Sequence, residues 1–126
     1  VIPAFRISDE AIDKDVALME KYGIEVKCGA PAPSVAELKQ QGYTHILMAT
    51  GAWQAGRLDI PGNVTGVIGW MKEMKQQVKP CLDGHVVVVG AGNTAMDAAR
   101  VAKRMGAASS TIVYRRTRKE MPADEH

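Results

Sequence analysis

The stretch VVVVGAGNTAMDAARVAKRMGA, Val86 to Ala107, constrains the fold more than any other part of the chain. Val86 to Val89 is an apolar run without alternation. Such a run suits a strand buried on both faces, as in a parallel sheet. After Gly92, the residues Ala95, Met96, Ala99, Val101, Ala102 and Met105 recur at helical spacing on one broad face. Gly106 then stands where a helix C′ residue would stand. A second apolar run spans Thr111 to Tyr114. The reading is strand, glycine turn, helix, strand, a βαβ unit of about 30 residues.

The turn reads Gly90-Ala91-Gly92-Asn93-Thr94-Ala95, which matches G-x-G-x-x-[GA]. The first glycine permits the tight turn, and the second lets the backbone approach a pyrophosphate. Ala95 keeps the helix close to the strand, and the free N–H groups of the helix start face the phosphates. Alone the motif is weak. Here its required context, a strand before and a helix after, is present on both sides. The competing readings are a glycine-rich turn in another kind of α/β protein, or a site for another adenosyl ligand.

The end of the second strand selects the dinucleotide. An NAD site places Asp or Glu there to hold the ribose 2′-OH. This chain has Tyr114-Arg115-Arg116-Thr117-Arg118-Lys119. Guanidinium groups form forked, charge-assisted bonds to phosphate, which suits the 2′-phosphate of NADP. The plain alternative is a solvated basic loop, the usual fate of a charge run; its place after the second strand weighs against that.

Composition excludes several classes. With 46% hydrophobic and 24% charged residues, the chain is of ordinary globular character. A net charge of +2 is too small to point to nucleic acid. No run is long enough to span a bilayer, and the opening VIPAFRISDE is not a signal peptide. Cys28 and Cys81 stand far apart and give no iron–sulfur or zinc spacing, so a reduced, cytoplasmic setting is expected. His45, His85 and His126 are scattered, and surface or strand-flanking positions are expected for them. The chain starts without an initiator methionine and stops soon after the second strand, which reads as a piece of a longer protein.

The first half carries a further set of signals. Ser8 can cap a helix from Asp9 to about Tyr22, with Ile12, Val16 and Met19 on one face and Gly23 ending it. Ile24 to Cys28 reads as a strand, and Pro31 to Pro33 as a breaker. Ser34 and Glu37 form a capping box for a short helix that Gly42 ends. Ile46 to Ala49 reads as another buried strand, emptying into Ala49-Thr50-Gly51. Pro61-Gly62 is a turn and a candidate domain boundary. Val67 to Val78 makes an amphipathic helix with Ile68, Met71, Met74 and Val78 on one stripe, closed by Pro80; its Met and Trp residues read as core.

Four segments in order, IPAFRIS, ATGAW with LDIPG, GAGNTAMDAARVAKR and YRRTRKEMPADE, resemble the NADPH:FAD oxidoreductase family of the glutamate synthase small subunit. The same module occurs in dihydropyrimidine dehydrogenase and in flavoprotein subunits named as selenate reductases. The resemblance covers essentially the whole chain. It implies an α/β, Rossmann-like two-dinucleotide-binding flavoprotein fold, present as a fragment. Residues 1–62 would be part of the FAD-binding domain, and residues 63–126 the N-terminal part of the NADPH-binding domain. Arg6 would contact FAD, the strand end near Ala32 would lie by the adenosine, and Thr50 and Gly51 would pass the flavin. Gly90, Ala91, Gly92, Asn93, Thr94 and Ala95, with Arg115, Arg116 and more weakly Lys119, would hold NADPH. The family's first FAD glycine motif, its closing Gly-Asp motif and its amino-terminal iron–sulfur segment do not occur in this sequence.

The resemblance implies a hydride passed from NADPH to FAD, then electrons passed through iron–sulfur clusters elsewhere in the protein to an accepting subunit or domain. No side chain is assigned as catalytic, since the cofactors carry the chemistry. The rival class is a non-catalytic nucleotide-binding or interaction domain of the same fold. Alone, the chain is expected to hold no FAD, to show little activity and to self-associate through an exposed strand edge.

Overall fold

A computed structural model describes residues 1–54, 56, 58–77 and 81–124. The chain divides into two compact units, one of Val1–Ser8 with Trp53–His126, the other of Asp9–Ala52. The candidate boundary at Pro61-Gly62 lies inside the first of them.

The Asp9–Ala52 unit holds helices α1 (Asp9–Lys21) and α2 (Val35–Gln40). On α1 the stripe residues Ile12 and Val16 are half-buried, whereas Met19 is exposed. Lys14 donates to Glu10 one turn earlier at 2.7 Å. Gly23 ends α1 with a paired hydrogen-bond closure, Gly23 N–H to Glu20 O and Ile24 N–H to Met19 O. Gly42 and Tyr43 close α2 in the same way on Lys39 and Leu38. The capping box at Ser34 is present, its hydroxyl and backbone N–H both donating to the Glu37 carboxylate at 2.7 Å.

The two strands expected in this half, Ile24–Cys28 and Ile46–Ala49, are not formed. Their β-prone side chains do favour extended backbone. Lys27 and Glu25, two apart and so on one side of an extended chain, pair at 3.2 Å. A strand also needs a ladder partner, and among the described residues neither segment has one. Ile24, Val26, Leu47 and Met48 are accordingly exposed.

The other unit contains α3 (Val67–Gln76), β1 (His85–Val89), α4 (Asn93–Arg104) and β2 (Ser109–Val113), followed by a 3-10 turn at Arg118–Glu120. Strands β1 and β2 pair in parallel, His85 opposite Ser109 through Val89 opposite Val113. Helix α4 is the crossover and packs on both strands, and α3 packs on α4. This is the expected βαβ unit. Small side chains make the close approach possible: Ala91, Ala98, Ala102 and Ala107 are buried, with Met71 supplied by α3. Ile68, Trp70 and Met74 are half-buried beside it. Val78 and Pro80 lie outside the described residues. Gly106, at φ 99°, takes the left-handed conformation that ends α4, and Ala107 N–H closes on Ala102 O at 3.1 Å.

The burial of β1 departs from expectation. Val86 and Val88 are half-buried, whereas Val87 and Val89 are 60% and 55% exposed. Strand residues alternate between faces, and α4 covers one face only. Among the described residues no element covers the other face, so the unbroken valine run becomes an alternating one in practice.

Candidate functional site

The site is built where β1 ends. Gly90 has φ 133°, which a side chain would strain, and its N–H donates to Val113 O at 2.9 Å. The turn is thereby joined to the end of β2. Gly92 is the N-cap of α4 and makes no side-chain cap bond. Its carbonyl accepts from Ala95 N–H at 2.9 Å and Met96 N–H at 3.1 Å. The N–H groups of Gly92, Asn93 and Thr94 have no partner among the described residues. A Cβ built at Gly92 meets nothing within 4 Å, so the turn presents open space at its second glycine. At Gly90 the same construction meets Ala95 Cβ at 3.7 Å, an ordinary contact distance, so the demand for glycine there comes from its backbone conformation.

Three unpartnered N–H groups at the start of a 12-residue helix form an anion-binding end. The open space at Gly92 admits a ligand backbone. The residues present therefore fit a pyrophosphate, the group that the sequence pattern implies.

The basic segment follows β2 directly. Arg115, Arg116, Arg118 and Lys119 are exposed, and none forms an ion pair among the described residues. Tyr114 Oη donates to Glu120 O at 3.1 Å across the loop. Thr117 N–H and Oγ1 both donate to Glu120 Oε2, at 3.1 and 3.0 Å. This carboxylate braces the loop, and the cations beside it stay exposed.

Arg6 lies in the same unit as the turn and bonds to the side of α4. Its Nε donates to Asp97 Oδ1 at 2.8 Å, and Arg100 Nη1 stands 3.9 Å from the same oxygen. Next to it, the Arg104 guanidinium carbon lies 4.1 Å from the centre of the Phe5 ring. Asp97 and Arg104 are seven residues apart and so share one side of the helix. Pro3 is buried, and Arg6 N–H turns back to Pro3 O at 2.9 Å. Ala32, Thr50 and Gly51 belong to the Asp9–Ala52 unit, where all three are exposed and lie outside regular structure. His85 opens β1 and bonds Ser109 across the ladder at 2.7 Å, and His45 bonds Thr44 at 3.0 Å. His126 lies outside the described residues.

Two contacts at the site escaped the sequence reading. One is the Arg6–Asp97 pair. The other is at Asn93, whose Nδ2 donates to Asp124 Oδ2 at 2.8 Å while Asp124 N–H donates to Asn93 Oδ1 at 3.0 Å. The second joins the motif to the acidic end of YRRTRKEMPADE, a segment read for its cations.

Known proteins resemble this chain over nearly its whole length. A family model described as pyridine nucleotide-disulphide oxidoreductase matches residues 8–125. The oxidoreductase YgfK of Escherichia coli K12 is 41% identical over 98% of this chain and 12% of its own length. The NADPH-Fe(3+) oxidoreductase subunit beta of Geobacter sulfurreducens is 35% identical over 98% of this chain and 20% of its own length. The glutamate synthase [NADPH] small chain of Azospirillum brasilense is 31% identical over 98% of this chain and 30% of its own length. The chain thus spans less than a third of each of these relatives.

Proposed function

The chain belongs to the pyridine nucleotide-disulphide oxidoreductase family, and from that premise we propose that it is part of an NADPH-dependent FAD oxidoreductase. One observation carries the reading. The glycine turn, with three free N–H groups, is hydrogen-bonded through Gly90 to the end of the strand that leads into Arg115 and Arg116. A pyrophosphate and a 2′-phosphate are the two anionic parts of a single ligand, NADPH. Gly90 to Ala95 would hold the first and Arg115, Arg116 and Lys119 the second. Relatives are named for NADPH and for NAD alike, so the choice over NADH rests on Arg115 and Arg116.

Residues 1–62 would then contribute to a FAD-binding domain and residues 63–126 begin the NADPH-binding domain. Arg6, Ala32, Thr50 and Gly51 are the flavin-side candidates. The bound cofactors supply the redox chemistry, a hydride passing from the nicotinamide ring to the flavin. The chain's own residues bind and align; no acid or base is needed. Electrons would pass on to an accepting subunit or domain through iron–sulfur clusters elsewhere in the protein. Relatives named as a subunit and a small chain support such a partner. No described helix is long and apolar enough to cross a membrane, and a cytoplasmic location suits an NADPH-dependent enzyme.

The test is made on the intact protein. It should show flavin absorbance and oxidise NADPH in preference to NADH. Dinucleotide binding without flavin or turnover would favour the non-catalytic domain instead. Failure to bind either dinucleotide would refute both.

A further inference from the structure

The basic loop is tethered at both ends to the glycine turn. At its start, Gly90 N–H donates to Val113 O at 2.9 Å. At its end, Ala123 N–H donates to Ala91 O at 3.1 Å, and Asn93 and Asp124 exchange the two bonds described above. Every residue of the loop from Tyr114 to Pro122 lies between these anchors, including Arg115, Arg116 and Lys119. The Asn93 side chain, in the variable part of the motif, is therefore turned toward the loop's far end. Its amide satisfies both a carboxylate and a backbone N–H, a two-point match suited to a side-chain amide, which carries its donor and its acceptor on separate atoms.

We propose that Asn93 and Asp124 are positioning residues that make the site selective for a dinucleotide bearing a 2′-phosphate. The proposal rests on the NADPH reading given above. NADPH offers two anionic groups at a separation set by its own covalent frame. The helix start that meets one is rigid, and the loop that meets the other is exposed and cationic. Untethered, such a loop samples many conformations, and ordering it on the ligand costs entropy. The Asn93–Asp124 clamp removes part of that cost beforehand by fixing the loop's far end one residue beyond Gly92. NADH lacks the 2′-phosphate and has no use for the ordered cations, so the clamp acts on the ratio of the two affinities.

The Asp124 carboxylate has a second, opposite tendency. Placed at a helix start, it competes electrostatically with a pyrophosphate, and by charge alone its removal would tighten both dinucleotides. Clamping and repulsion thus differ in sign and in selectivity. Asp124→Asn separates them, because the amide oxygen still accepts from Asn93 Nδ2 and the backbone N–H still donates.

The experiment measures equilibrium affinity of the intact protein for NADPH and for NADH in wild type, Asp124→Ala, Asp124→Asn, Asn93→Ala, the Asn93→Ala/Asp124→Ala double variant, and Arg115→Ala/Arg116→Ala. Asp124→Ala and Asn93→Ala should each lower the NADPH-to-NADH preference about tenfold, the weight of one hydrogen bond to a charged group. The double variant should lose no more than either single one, as contacting partners do. Asp124→Asn should retain the preference. Circular dichroism of each variant serves as the check on folding. Equal weakening of both cofactors, an unchanged preference in Asp124→Ala, or Asp124→Asn behaving as Asp124→Ala would overturn the clamp. If Arg115→Ala/Arg116→Ala also leaves the preference unchanged, the NADPH reading itself has failed and the clamp falls with it. If the arginine variant abolishes the preference and Asp124→Ala does not lower it, the clamp alone is wrong.

Discussion

Arg6 Nε donates to Asp97 Oδ1 at 2.8 Å, joining two residues that lie 91 positions apart. The Asp97 side chain is 15% exposed and that of Arg6 31%. The pair and the neighbouring Phe5–Arg104 contact fasten the first residues of the chain to α4, the helix whose start forms the phosphate turn. A charged hydrogen bond this far from full burial is worth about 1 kcal/mol after screening. Asp97→Ala should therefore lower stability by about that amount, as should Arg6→Ala, with the double variant no worse than either. Urea midpoints at constant slope measure this. Simple addition of the two losses would show that the residues do not interact.

Arg115→Ala and Arg116→Ala should each weaken NADPH binding by about 1.5–3 kcal/mol, the range for hydrogen bonds to charged groups. NADH binding should barely change, since its ribose has no 2′-phosphate to lose. Calorimetric titration with both cofactors is the direct measurement. Equal losses on both would remove the 2′-phosphate assignment and return the segment to a solvated basic loop.

Gly92→Val should abolish dinucleotide binding and leave the fold intact. Gly92 has φ −82°, which any residue can adopt, and a Cβ there meets nothing within 4 Å. The branched side chain would fill the space where the pyrophosphate approaches the backbone. An unchanged circular dichroism spectrum with no NADPH binding is the expected pair of results. Retained affinity would mean that the ligand does not use this turn.

The features legible in the sequence are the local ones. Gly23, Gly42 and Gly106 mark helix ends because their signal lies within a few residues of its effect. Ser34 and Glu37 cap α2 for the same reason. Burial is not local. The valine run implied two covered faces, but exposure of Val87 and Val89 depends on what packs outside the strand. The segments at 24–28 and 46–49 have β-prone side chains without a ladder partner, and propensity alone does not make a strand. At the site, the glycine motif and its arginines were readable from spacing. Asn93 with Asp124, 31 positions apart, was not, because neither residue has a periodic or compositional signature for the other.

Acid should loosen the start of α2. The side-chain hydrogen bond from Ser34, and next its backbone N–H, hold the Glu37 carboxyl below the ordinary glutamate value. A carboxyl whose value is lower in the folded state stabilises that state above its unfolded value. The contribution is lost as the pH falls through the folded value. Ser34→Ala should bring Glu37 back toward its ordinary value and flatten this dependence. Carboxyl-carbon titration by NMR reads both, and an unmoved Glu37 in the variant would show that Ser34 is not the cause.

The polypeptide studied by itself should be colourless and should associate with itself. It contains one glycine turn of the pyrophosphate type, at Gly90 to Gly92, and the proposed function gives that turn to NADPH. FAD would be left without a phosphate cradle in these residues. Association follows from the sheet. Val87, Val89 and Val113 are 60%, 55% and 48% exposed on the face that α4 does not cover. Contiguous apolar side chains on a two-stranded sheet gain by burial against any apolar partner, at roughly 25 cal/mol per Å² removed from water. Val87→Lys with Val113→Lys should suppress the association, because charges on that face oppose stacking without touching the α4 side. Sedimentation velocity across a dilution series, read with absorbance in the flavin band, measures both parts. A yellow chain that stays monomeric at every concentration would show that neither the single turn nor the bare sheet face limits it.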